Sequence, residues 1–141
     1  MSKFVRNNGF TLVEIMIVVA IVVLLASLAI PNFLRARISA NEAGAISSLR
    51  VISTAMESFR SAQTPPVYPS ALIQLSGATP PYIDTQLSGG TKKGYNFVLS
   101  DINGGITYTC TASPISTGSS GVREFIVDQS GVITSGGTAI E

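Results

Sequence analysis

Residues 10–30 read FTLVEIMIVVAIVVLLASLAI, 21 residues in which Thr11, Glu14 and Ser27 are the only interruptions of an apolar run. As a helix this stretch extends about 31 Å, close to the thickness of a bilayer's hydrocarbon core. It predicts a membrane-spanning helix. Ahead of it, residues 1–9 (MSKFVRNNG) carry Lys3 and Arg6 and no acid. A basic flank of this kind stays in the cytoplasm and sends the remainder of the chain outward. A cleaved secretory signal would have a shorter apolar stretch followed by a small-x-small site. Here the run is followed by Pro31-Asn32-Phe33-Leu34-Arg35-Ala36-Arg37, so a retained helix is expected.

Glu14 stands out within this run. A carboxylate costs about 2.5–3.5 kcal/mol at the centre of a membrane helix and less towards its ends, and by default it marks a functional position with a partner. No Lys or Arg lies within the run to supply one, and Arg6, eight residues back, precedes Asn7-Asn8-Gly9. Two readings stand at this point. Glu14 either snorkels to the headgroups, favoured by the positive end of the helix dipole, or pairs with a charge from outside its own segment.

Composition narrows the function classes. Of the 141 residues 45% are apolar and only 12% charged, against about 25% charged in an average soluble domain. Nine Lys and Arg against eight Asp and Glu give a net charge of +1, too balanced for a nucleic-acid binder that neutralises phosphates. There is no His, which removes His-based triads, metal sites and proton shuttles. Cys110 is the single cysteine, so neither an intrachain disulfide nor a cysteine-cluster zinc site can form. No catalytic residue, cofactor or metal is expected, and the chain reads as a non-enzyme.

Gly9-Phe10-Thr11-Leu12-Val13-Glu14, with its short basic leader and an apolar run up to Pro31, resembles the N-terminal signature of type IV pilins and the pseudopilins of type II secretion. The resemblance covers about the first 60 residues. It implies that a prepilin peptidase cleaves the Gly9–Phe10 bond on the cytoplasmic side and N-methylates the new amine of Phe10. It implies also that Glu14 pairs with the Phe10 amine of a neighbouring subunit as a homo-oligomeric helical filament assembles. Each charge is costly to bury alone, and pairing recovers part of that cost. Lipid tails are already apolar, so moving the helix from lipid to a filament core gains little hydrophobic free energy. An assembly motor is therefore expected, and the resemblance implies an inner-membrane assembly platform and a cytoplasmic ATPase as partners, together with membrane lipid before assembly. The corresponding locations are the inner membrane, single-pass with a cytoplasmic N-terminus, and then an extracellular filament.

The expected partition is a leader over 1–9, a transmembrane or filament-core helix over 10–31, an amphipathic half over 32–62 and a head over 63–141. Between Asn32 and Ser61 there is no Pro, and Gly44 is the only Gly. Ile38, Ile46, Leu49, Ile52, Met56 and Phe59 form a stripe of helical period, with Ser39, Asn41, Glu42, Ser48, Arg50, Thr54 and Glu57 on the remainder. Pro31 removes one backbone bond and should kink or loosen the helix, with any unwinding centred on Ser27–Pro31. The head opens after Pro65-Pro66 with a short helix over Tyr68–Gly77, then a surface loop between Pro80-Pro81 and Gly89-Gly90.

Alternation predicts strands around Tyr95-Phe97-Leu99, Ile106-Tyr108-Cys110 and Val122–Asp128, and a fourth at Val132-Ile133-Thr134. Asn103-Gly104-Gly105 and Asp128-Gln129-Ser130-Gly131 are the turns between them. A three- or four-stranded antiparallel sheet covered by the amphipathic helix gives an α+β fold, which agrees with the pilin fold. Asp101-Ile102-Asn103-Gly104 opens like a calcium loop but lacks the later ligands. Ser88–Gly94 is Gly-rich and basic without the order of a phosphate loop. The head has neither the Trp-containing calcium loop of many major pseudopilins nor a disulfide-closed loop. A type IV pilus subunit serving adhesion, motility or DNA uptake is the favoured reading. The alternatives are a secretion pseudopilin and, remotely, a membrane-anchored periplasmic binding or enzymatic domain.

Overall fold

The computed structural model describes residues 9–140, with the side chains of residues 101 and 102 excepted; the expected leader, save Gly9, lies outside the described residues. Two compact units are formed, Met1–Arg35 and Ala36–Glu141. One helix, α1 (Leu12–Ala62), contributes to both. Pro31 lies inside it, so the loosening expected at Ser27–Pro31 produces no break in the helix. The missing Pro31 N–H leaves the Ser27 carbonyl without its i+4 donor.

In the second unit α1 is followed by two short helices, α2 (Leu72–Ser76) and α3 (Thr85–Ser88). A six-stranded antiparallel meander then runs in sequence order: β1 (Thr91–Lys92), β2 (Tyr95–Ile102), β3 (Thr107–Pro114), β4 (Phe125–Asp128), β5 (Ile133–Ser135) and β6 (Thr138–Ala139). The architecture is the α+β arrangement anticipated from the sequence, with two strands more than the three or four expected. Those two, β1 and β6, have two residues each, too short to leave a period-2 pattern.

One face of the sheet is packed. Along β2 and β3 the buried residues alternate as expected, Tyr95 and Phe97 on one strand, Tyr108, Cys110 and Ala112 on the other, and Phe125 and Val127 continue the face on β4. Ala45, Leu49, Ile52 and Met56 of α1 complete the same core. Their spacing of three and four places them on one helix face. Ile38, Ile46 and Phe59 of the expected stripe lie at its half-buried margins. Glu42 and Ser48 depart from expectation. Both are buried, although they were placed on the polar side. Ser48 is satisfied locally, its hydroxyl donating to the Gly44 carbonyl at 2.8 Å. Glu42, only 7% exposed, is satisfied from 80 residues away. Its carboxylate accepts from the N–H groups of Val122 (3.1 Å) and Arg123 (3.2 Å) and from Arg123 Nε (2.8 Å), and Arg123 Nη2 lies at 2.7 Å.

This contact explains why the strand expected over Val122–Asp128 begins only at Phe125. The N–H groups of Val122 and Arg123 are committed to α1 and cannot join the ladder with β3. Tyr95 Oη donates to the Arg123 carbonyl at 2.8 Å, and Asn41 Nδ2 to the Ser120 carbonyl at 2.8 Å. A Cβ on Gly121 would fall 2.1 Å from Tyr95 Oη, so only glycine lets the loop seat there. Ile106, expected on the inner face, is 70% exposed. The hairpin spends residues 103–106 on its turn, closed by Ile106 N–H to the Asn103 carbonyl at 3.3 Å.

The helix expected over Tyr68–Gly77 shortens to Leu72–Ser76, because Ala71 is extended and Tyr68 N–H is taken by the Gly105 carbonyl at 2.8 Å. The expected surface loop instead contains α3, whose N-cap Asp84 accepts from Leu87 N–H at 2.7 Å. Ile83 and Leu87 anchor this segment in the core.

Glu42 lends the unit a defined acid sensitivity. Burial pushes its carboxyl up, but the Val122 N–H, the Arg123 side chain and the Arg123 N–H together outweigh burial and hold it below the usual 4.5. A depressed folded-state value means that the stabilisation is fully present above pH 4.5 and is lost as pH falls through the folded value. Glu42→Gln should cost about 1–3 kcal/mol at neutral pH. The gap between variant and wild type should close on acidification, as measured by thermal unfolding of the full chain in detergent at a series of pH values.

Candidate processing and assembly site

The N-terminal end of α1 is built by a four-residue exchange. Leu12 opens the helix, Thr11 is its N-cap, and Glu14 stands at the third helical position. Glu14 N–H donates to Thr11 Oγ1 at 3.3 Å, while Glu14 Oε2 accepts from Thr11 N–H at 2.8 Å and from the Thr11 hydroxyl at 2.6 Å. This is a capping box, the reciprocal arrangement that satisfies two of the N–H groups a helix start leaves without partners. The sequence T-x-x-E carries its signature, and Thr11, by sequence no more than an interruption of the apolar run, is the hydrogen-bond partner of Glu14. Within the chain Glu14 therefore has hydrogen-bond partners. Among the described residues no counter-charge meets it, since Thr11 is neutral, and the electrostatic part of the problem stands.

Around that cap the surface is apolar on every side. Phe10 is 80% exposed, and no residue between Leu12 and Ile30 is buried. The run is long and apolar enough to cross a membrane. A helix hydrophobic all round is a buried or membrane helix, in contrast to the one-sided stripe of its second half. Ser27, the remaining polar side chain, turns its hydroxyl back onto the Leu24 carbonyl at 2.7 Å. Gly9 is exposed, and nothing lies within 4 Å of where its Cβ would be. The Gly9–Phe10 bond is thus sterically open on its Gly side. Gly9, Phe10 and Glu14 lie within six residues at one helix end, and Pro31 lies 17 positions beyond Glu14 along the chain.

The second unit presents no comparable constellation. Among the described residues no group of three or more His, Cys, Asp or Glu side chains could hold a metal. Cys110 is buried in the core, and burial pushes its thiol up to about 12, far from a thiolate at neutral pH. Burial likewise pushes Tyr95 and Tyr108 up to about 12. The other hollows are open and shallow. One of about 370 Å³ lies over Arg50, Val51, Thr54 and Tyr82 and brings together hydroxyls and one cation. The Asn103–Gly105 segment is a hairpin turn, and the Ser88–Gly94 segment forms the end of α3 and the β1–β2 turn.

Comparison with known proteins bears on the N-terminal segment. The family model for the prokaryotic N-terminal methylation motif matches residues 5–30. A stretch of 54 residues is 48% identical to the type IV major pilin protein PilA of Myxococcus xanthus, covering 38% of this chain and 24% of that protein. A stretch of 55 residues is 34% identical to the type II secretion system core protein G of Aeromonas hydrophila, covering 39% and 38%. The core protein G of Vibrio cholerae is 33% identical over 60 residues, covering 43% and 41%. The chain thus spans from about a quarter to two-fifths of the length of these curated relatives. No solved structure matches it.

The capping box is testable on its own. Thr11→Val removes both Thr11 hydroxyl bonds and should destabilise the first turn by about 1 kcal/mol, whereas Thr11→Ser should preserve it. Amide hydrogen exchange in detergent micelles should show Glu14 N–H exchanging several-fold faster in the Val variant and at the wild-type rate in the Ser variant.

Proposed function

We propose that this chain, homologous to type IV pilins and to core protein G of type II secretion, is a structural subunit of a type IV pilus. The observation that carries the reading is the methylation-motif match over residues 5–30. It brackets the exposed Gly9–Phe10 junction and the Glu14-capped start of an apolar helix. In this reading residues 1–9 are a cytoplasmic leader, and a prepilin peptidase cuts after Gly9 and methylates the Phe10 amine. The helix over residues 10–31 holds the subunit in the inner membrane until assembly, and the amphipathic half over 32–62 carries the head of residues 63–141.

The physical case for Glu14 rests on charge. Its Oε2 takes both Thr11 bonds, which leaves Oε1 as the acceptor for an incoming amine. The Phe10 amine of a neighbouring subunit would bring the counter-charge that Thr11 does not supply, and removing either member of a buried pair is costly. The pair sets register, and apolar packing between helices supplies the bulk of the contact. Because lipid already solvates the helix, extraction into a filament calls for work from outside, here assigned to an assembly platform and a cytoplasmic ATPase. No catalytic role is assigned to the chain.

A second reading, a pseudopilin of type II secretion, is favoured by the two core protein G relatives. The pilus is preferred on 48% identity to the pilin against 34% and 33% to those proteins.

Intact-mass and N-terminal sequencing of protein sheared from the cell surface should find a chain beginning at N-methylated Phe10. A full-length chain confined to the membrane fraction would overturn the reading. Glu14→Val should leave that processing intact and abolish ordered filaments, while Gly9→Val should block processing. Filaments of this chain that persist and no longer shorten when a retraction ATPase is deleted would place the chain in a pilus, and dependence on an outer-membrane secretion channel would place it in secretion.

A further inference from the structure

We propose that the Asn103–Gly104 bond is a site of spontaneous deamidation, a covalent modification built into the tip of the β2–β3 hairpin. The chain has six asparagines, at positions 7, 8, 32, 41, 96 and 103. Asn32 and Asn41 lie in α1 and Asn96 in β2, each followed by a bulky residue, and Asn41 Nδ2 is engaged with the Ser120 carbonyl. Among the described residues Asn103 alone is followed by glycine. Asn8 also precedes a glycine, within the leader segment.

The geometry at the tip leaves the reacting atoms accessible. Asn103 (φ 74°) and Gly104 (φ 61°) both occupy the left-handed region, and both are exposed. Asn and Gly are the residues that tolerate this conformation in tight turns. Nothing lies within 4 Å of where a Gly104 Cβ would be, so no residue beyond its chain neighbours crowds Gly104 on that side. The turn is closed across Asn103 by the Ile106 N–H bond at 3.3 Å, beyond the usual range for a firm N–H···O contact. Rotation of Asn103 out of the turn therefore sacrifices little. One residue further on, the hairpin is pinned: Gly105 accepts from Tyr68 N–H at 2.8 Å, and a Cβ on it would lie 3.2 Å from the Tyr68 carbonyl oxygen.

The step balances without a cofactor. The Gly104 nitrogen, losing its proton, attacks Cγ of Asn103, the Cγ–Nδ2 bond breaks, and ammonia leaves carrying that proton. Water then opens the five-membered imide at either carbonyl. The product is an aspartate, or an isoaspartate whose main chain runs through the former side chain. Either product adds a negative charge, and the isoaspartate adds a backbone atom next to the pinned Gly105. The consequence is a local loosening of the hairpin end at the Ile102–Thr107 pair. The chemistry needs no partner and is independent of the filament reading.

The test uses the purified full chain in detergent, incubated at neutral and mildly alkaline pH, with peptide mapping by mass and enzymatic detection of isoaspartate. The expected result is deamidation at Asn103 exceeding that at Asn32, Asn41 and Asn96 by an order of magnitude or more. Its rate should rise with pH, because the attacking nitrogen must lose a proton. Gly104→Ala should slow it several-fold, and Asn103→Gln should abolish the isoaspartate signal from that peptide. The proposal is overturned if Asn103 stays intact while a free peptide spanning residues 98–108 deamidates, since the folded turn would then protect it. Equal rates at Asn103 and the other mapped asparagines would overturn it too.

Discussion

Between Leu12 and Ile30 the chain carries a helix that buries none of its own side chains, and the remaining structure answers that constraint. Such a surface is stable only in lipid or against other apolar helices. Among the described residues none covers it, and the helix is suited to an environment supplied from outside them. Its few polar groups in this stretch are consistent with that setting. Ser27 bonds back to Leu24, and Thr11 and Glu14 bond to each other, which minimises polar atoms left to an apolar surrounding.

The capping box gives Glu14 two properties at once. It satisfies the opening N–H groups of the helix, a local stabilisation that any Thr-x-x-Glu start can provide. It also holds a carboxylate at a fixed place on the helix end without neutralising it. A charge held by neutral Thr11, with no counter-charge among the described residues, is suited to selecting a cationic partner, and in the proposed filament that partner is the new amine at Phe10. Local capping and intermolecular pairing are therefore compatible, because one carboxylate oxygen serves each.

In the Ala36–Glu141 unit a second glutamate does opposite work. Glu42 is turned into the core face of α1 and fastens the β3–β4 connection through two backbone N–H groups and the Arg123 guanidinium. Only the Glu42 side of this pair is buried, Arg123 being exposed, so removing the partners strands the glutamate charge inside and fixes the arrangement. Here the arrangement has a visible consequence, the late start of β4 at Phe125. On the same buried face of α1, a Cβ at Gly44 would lie 2.7 Å from Cδ of Lys93, so the bare backbone there leaves room for the side chain of the β1–β2 turn.

Much of the architecture was legible in residue order because its signals are local. A 21-residue apolar run, a three-and-four spacing from Leu49 to Met56, period-2 alternation at Tyr95–Leu99 and an Asn-Gly-Gly turn each report on their own segment. The positions proposed for cleavage and pairing, Gly9, Phe10 and Glu14, stand out in the sequence for the same reason, and Thr-x-x-Glu carries the capping box. The burial of Glu42, the short β4, the capped α3 and the exposure of Ile106 were not. Glu42, β4 and Ile106 depend on a partner distant in sequence or on how many residues a turn consumes, and α3, whose Asp84 cap is local, has four residues, too few for a periodic signal. Arg123 is 81 positions from Glu42, and nothing in either neighbourhood names the other. Local periodicity and turn chemistry settled which segments are helix and strand; only the packing of helix on sheet decided which polar groups go inside, because a buried charge is tolerated solely where the folded chain delivers its counter-charge.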